Sequence, residues 1–118
     1  MAFKLGSETR DFKNSQNTPI IKKNLEPGIK GEANMDGSVF VDNSVDLDSK
    51  EGKKVVAHES QHIKQMEDGA AYGPDWVRWK GETHPREDGY ITYKGKKYPE
   101  GSDELPWEKE AIKAEQYA

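Results

Sequence analysis

The chain has 118 residues, 34% of them charged and only 32% hydrophobic, with a net charge of −4. That is enough for one small domain with a thin core, and the interspersed charges leave no basic run suited to nucleic acid or an acidic membrane surface. No cysteine is present, so disulfides and thiolate metal sites are excluded, and any metal must be held by histidine and carboxylate. Residues 1–18 are polar and rich in Ser, Thr, Asn and Lys. They are expected to form an arm that orders by docking on something else, which leaves 19–118 as a single domain. Met1–Gly6 lacks the apolar core of a signal peptide, and no stretch is apolar for long enough to span a bilayer.

Pro27-Gly28 is a turn signal. Residues 29–34 and 38–42 flank Asp36-Gly37 and predict a hairpin, with Val39, Phe40 and Val41 as its clearest strand. A helix is expected from about Ser49 to Asp68. Asp48 is its predicted N-cap, with Glu51 three residues on. Gly52 weakens its first turn by up to ~1 kcal/mol, and Gly69 ends it. Ala70 to Trp79 reads as irregular, broken by Gly73-Pro74, with Trp76 and Trp79 as apolar anchors. Residues 82–86 and 90–93 flank Asp88-Gly89, and Lys94-Gly95 turns the chain into residues 96–98, so a meander of two or three strands follows. Pro106 fits the first turn of a second helix over residues 107–117, with Trp107, Ala111 and Ala114 on its apolar side.

Within the first helix the sequence reads His58-Glu59-Ser60-Gln61-His62. Four residues advance a helix by roughly 400°, so the two imidazoles share one face and can reach one metal ion. The motif's chemistry is a zinc-activated water with the intervening glutamate as general base. Catalytic zinc commonly takes three protein ligands and keeps one position open. His58 and His62 are two of them. The residues alone leave His84, Glu108, Glu110 or another carboxylate as the third. His84 precedes a proline and fits a hydrogen-bonding histidine as well as a ligand. His84, Tyr90 and Tyr93 are also candidate stabilisers of an oxyanion beside the metal.

The His-Glu-x-x-His motif, followed some fifty residues later by Pro106-Trp107-Glu108-Lys109-Glu110-Ala111, resembles the gluzincin metallopeptidases, including small metallopeptidase-like proteins of bacteriophages. The likeness spans roughly residues 38–117, and its specific part is about a dozen residues. It implies an α+β, minimal zincin-like domain, in which the motif helix and the C-terminal helix pack with a small antiparallel sheet and hairpins. It implies one zinc per chain, held by His58, His62 and Glu108, with Glu110 as the alternate third ligand. Where some gluzincins carry Asp four residues after the ligand glutamate this chain has Ile112, so a carboxylate behind the ligands is absent or comes from elsewhere. The strand Val39–Phe40–Val41 stands where zincins have the edge strand that holds an extended substrate. The implied activity is hydrolysis of a peptide or protein. The alternative is a metal-bearing structural protein of a phage particle, with the arm as the contact to other assembly proteins. The implied location is the cytoplasm or a virion.

Overall fold

Strand signals in the first third of the chain assemble into a sheet whose order no local pattern announces. The computed structural model describes residues 2–5 by their backbone and residues 18–118 in full; the rest of the expected arm lies outside the described residues. Four strands, β1 (Ala2–Leu5), β2 (Ile20–Lys23), β3 (Ile29–Ala33) and β4 (Val39–Asp42), form a mixed sheet in the order β1-β3-β4-β2. The expected hairpin is present as the antiparallel pair β3–β4, with Gly31 opposite Val41 and Ala33 opposite Val39. Its turn is fastened by Asp36, whose carboxylate accepts from the Ser38 amide and hydroxyl. β1 and β2 then add in parallel, one on each side of the hairpin. Val39 and Val41 are fully buried, as period-two alternation on a half-buried sheet requires.

Helix α1 runs from Lys50 to Glu67. Its N-cap is Ser49 rather than the expected Asp48. The Ser49 hydroxyl accepts from the Gly52 amide at 2.9 Å, while the Asp48 amide is taken by the side chain of Asp46. That short Asp46 turn moves the helix start one residue on. It also gives Gly52 a positive role, because a Cβ there would lie 2.1 Å from the Asp46 carbonyl oxygen. At the other end Gly69 adopts φ 112°. The Ala70 amide reaches the Gln65 carbonyl and the Gly69 amide the Met66 carbonyl, the paired bonds of a Schellman terminus.

The stretch expected to be irregular is paired instead. β5 (Ala71–Tyr72) and β6 (Trp76–Trp79) open an antiparallel meander completed by β7 (Glu82–Glu87), β8 (Tyr90–Tyr93) and β9 (Lys96–Pro99). Gly73-Pro74 turns the chain rather than ending its order. The Gly73 amide bonds the Trp76 carbonyl, and the Trp76 indole lies where a Cβ on Gly73 would stand. The next three turns are Lys80-Gly81, Asp88-Gly89 and Lys94-Gly95, each with both residues at positive φ, the two-residue loop that suits twisted strands. Helix α2 (Pro106–Glu115) starts on its proline and ends two residues before the expected limit. It packs along α1, and Trp107, Leu105, Tyr72, Ile63, Val55, Val77 and Ile91 form the core between helices and strands. The result is a small α+β domain. Among the described residues no helix is long and apolar enough to cross a membrane.

Candidate metal centre

His58 and His62 leave α1 on the side that faces α2, and Glu108 stands in the first turn of α2 opposite them. Glu108 Oε1 lies 3.1 Å from His58 Nε2 and 3.2 Å from His62 Nε2. These three side chains can each offer one ligand atom within 4.8 Å of the others, a spacing that a single metal ion can bridge. All three are at most 2% exposed.

The outer nitrogens of the two rings are also held. His58 Nδ1 is 2.7 Å from Glu115 Oε2, and His62 Nδ1 is 2.8 Å from Gln65 Oε1. The Gln65 amide nitrogen donates to the Trp107 carbonyl at 2.9 Å and to Glu110 at 3.0 Å, and the Tyr72 hydroxyl donates to Gln65 Oε1. Gln65 Oε1 is therefore an acceptor, and the proton between it and His62 sits on Nδ1. A carboxylate likewise holds the proton on Nδ1 of His58. In both rings the remaining nitrogen, Nε2, is the atom turned toward Glu108. Such partners are what orient metal-ligating histidines.

Charge and burial oppose one another here. Burial alone raises the Glu108 carboxyl, but the His62 charge and hydrogen bonds from both histidines outweigh it and hold Glu108 down at about 2. For His62 burial acts downward, and the Glu108 charge and hydrogen bond overcome it to raise the imidazole to about 9. Glu59 differs. Burial pushes its carboxyl well above the ordinary range, and Glu108, Glu32 and Glu115 add to the effect against the pull of His62. Among the described residues neither buried Glu59 oxygen has a hydrogen-bond partner. The side chain lies against β3 at Gly31, where a Cβ would come within 3.0 Å of Glu59 Cγ.

The other candidates fall as follows. Glu110 is exposed and bonded to Gln65, so the carboxylate brought to the histidines is Glu108. His84 and Tyr93 pack against one another with ring centroids 4.8 Å apart and against Trp107 at 6.1 and 5.8 Å; Tyr90 is 48% exposed. Tyr72 lies beside the ligand pair, its ring 6.3 Å from that of His62. The expectation that Val39, Phe40 and Val41 form an exposed edge for substrate is corrected. β4 is an interior strand, paired with β3 on one side and β2 on the other, so its backbone has no free edge to offer. Glu115, Gln65 and Tyr72 escaped the sequence reading. Two had a signal: Glu115 lies two helical turns beyond Glu108, on the same face of α2, and Gln65 lies three residues beyond His62, on the same face of α1.

No protein-family model matches the chain, and no curated protein or solved structure does so either. What the fold and the centre define is therefore a class: a small α+β domain with a buried His58–His62–Glu108 group able to hold a metal ion.

Proposed function

We propose that this protein is a zinc-dependent peptidase of the gluzincin type, with zinc on His58, His62 and Glu108 and with Glu59 as general base. The observation that carries the reading is the orientation of the two imidazoles. Each Nδ1 faces an oxygen at 2.7 or 2.8 Å, so both Nε2 atoms converge on Glu108. Two imidazoles and a carboxylate are the donor set of hydrolytic zinc sites with one position open. Zinc held there supplies Lewis acidity that lowers the pKa of a coordinated water to about 7.

The residues of the chain do the rest. Glu115 and Gln65 hold the two rings by Nδ1, so that each Nε2 is aimed at the place a metal would take. Glu59 takes a proton from the attacking water and passes it to the leaving amide nitrogen. Its carboxyl suits that task, because burial has already raised its affinity for a proton. A buried carboxyl with no partner for either oxygen also costs stability, and a purely ligating centre needs no such group. The substrate is a peptide or protein segment.

A second reading is favoured by one observation, the complete burial of Glu59 and His62. In that reading the metal is structural, as in a component of a phage particle. A mixed peptide library incubated with the zinc-loaded protein and with Glu59→Gln separates the two. The peptidase reading expects cleavage that falls by about 10²-fold or more in the variant, with zinc content unchanged. Equal cleavage by both, or none by the zinc-loaded protein over the whole library, supports the structural reading.

A further inference from the structure

We propose that a cavity on the face of α1 opposite Glu59 binds a free α-amino acid with an apolar side chain. The site goes beyond the peptidase reading and does not depend on it.

The cavity encloses about 320 Å³ between the C-terminal half of α1, the β6–β7 turn and α2. Its α1 residues are Gln61, Gln65 and Asp68. At about 100° per residue they stand roughly 180–240° round the helix from Glu59. The cavity therefore lies across α1 from the general base and from the β3 strand that Glu59 touches. Trp79 and Ala70, both buried, supply its apolar lining. Its volume is near the lower end of the range for small-molecule pockets, which starts at roughly 300 Å³, so the occupant is small.

The rim carries both signs of charge. Arg78 and Lys80 stand on the strand side, and Asp68 and Glu110 on the helices. Among the described residues neither cation is paired with a carboxylate. Lys80 Nζ lies over the Trp79 ring and Arg78 Cζ over the Trp76 ring, each 5.5 Å from the centroid. Glu110 gives one oxygen to Gln65 and keeps the other. A ligand with a single charge meets its own sign on one side of this rim. A zwitterion satisfies both sides, with its ammonium toward Asp68 and Glu110 and its carboxylate toward Lys80 and Arg78, as charge-assisted hydrogen bonds. An apolar side chain then rests against Trp79 and Ala70. An α-amino acid carries all three groups on one carbon, which suits so small a space.

Nuclear magnetic resonance tests this. Zinc-loaded, isotope-labelled protein is titrated with leucine or phenylalanine, and the Gly69, Ala70 and Gly81 amides, which line the cavity, report occupancy. The proposal expects saturable shifts at these amides. Lys80 and Asp68 are exposed, so Lys80→Gln and Asp68→Asn remove a charge without touching the core. Each should weaken binding about threefold or more, and the two together about tenfold or more, with zinc content unchanged. N-acetylleucine and leucinamide, which each lack one charge, should likewise bind about threefold or more weakly than leucine. No saturable shift with either amino acid overturns the proposal, as does equally tight binding of the two blocked compounds. Binding that neither substitution weakens places the ligand elsewhere, the zinc included, and overturns it too.

Discussion

His58 and His62 each give one ring nitrogen to a fixed oxygen and the other to Glu108, and that division of labour makes the individual side chains testable. Loss of an outer partner typically costs a metal site 10–100-fold in affinity. Glu115→Ala is therefore expected to weaken zinc binding by about that factor in a competition titration against a chelator, and Glu110→Ala to change it far less. The metal-free protein should respond to pH through the same residues. His62 is raised from an ordinary value of 6.5 to about 9. A group raised in the folded state contributes stability that is complete below its unfolded value and lost as pH rises through the folded one. Glu108 is lowered from 4.5 to about 2, so its contribution is present above 4.5 and lost as pH falls toward 2. Denaturant unfolding of metal-free protein should accordingly show lower stability at pH 9 than at pH 6, by an amount on the order of 1–3 kcal/mol. Zinc should act in the opposite sense: its binding requires neutral imidazoles, so its affinity should rise over the same interval.

Among the elements, α1 matters most, because its register sets the angles of His58, Glu59 and His62 together. Two glycines mark close approaches to it, Gly52 within the helix and Gly31 on β3. A Cβ on Gly52 would meet backbone at Asp46, and one on Gly31 would meet Val55 and Glu59. Gly52→Ala is expected to lower thermal stability by about 1–3 kcal/mol, even though alanine is the better helix former. A rise in melting temperature would contradict the close approach. These contacts mark where the sequence could be read and where it could not. The helix, its Gly69 terminus, the β3–β4 hairpin and the Asp88-Gly89 and Lys94-Gly95 turns each depend on residues close in the chain, and all were legible. The exchange of Asp48 for Ser49 as cap depends on how Asp46 folds back, which propensity does not register. The addition of β1 and β2 in parallel depends on pairings tens of residues apart. That non-local step turned β4 from a supposed edge into an interior strand. Of the centre, His58, His62 and Glu108 were legible from motif and spacing. Glu115 was not legible, because the motif pattern places a supporting carboxylate one turn after Glu108, where Ile112 stands, rather than two turns on.

At the scale of the whole molecule, a thin core is joined across α1 and α2 by buried polar groups rather than by apolar packing alone. Gln65 alone ties α1 to the Trp107 carbonyl, to Glu110 and to Tyr72. A metal bound only by the folded state adds stability as the logarithm of its saturation, about 4 kcal/mol at a thousandfold excess over Kd. Zinc should therefore raise the melting temperature, and chelation should reverse the gain. All of this depends on one ion shared by His58, His62 and Glu108, and zinc per chain measured by atomic absorption tests that most directly. The parent protein should hold one zinc per chain after dialysis, and His58→Ala, His62→Ala and Glu108→Gln should each hold little or none while remaining folded by circular dichroism. Zinc near one per chain in all three variants, or none in the parent, would contradict the assignment.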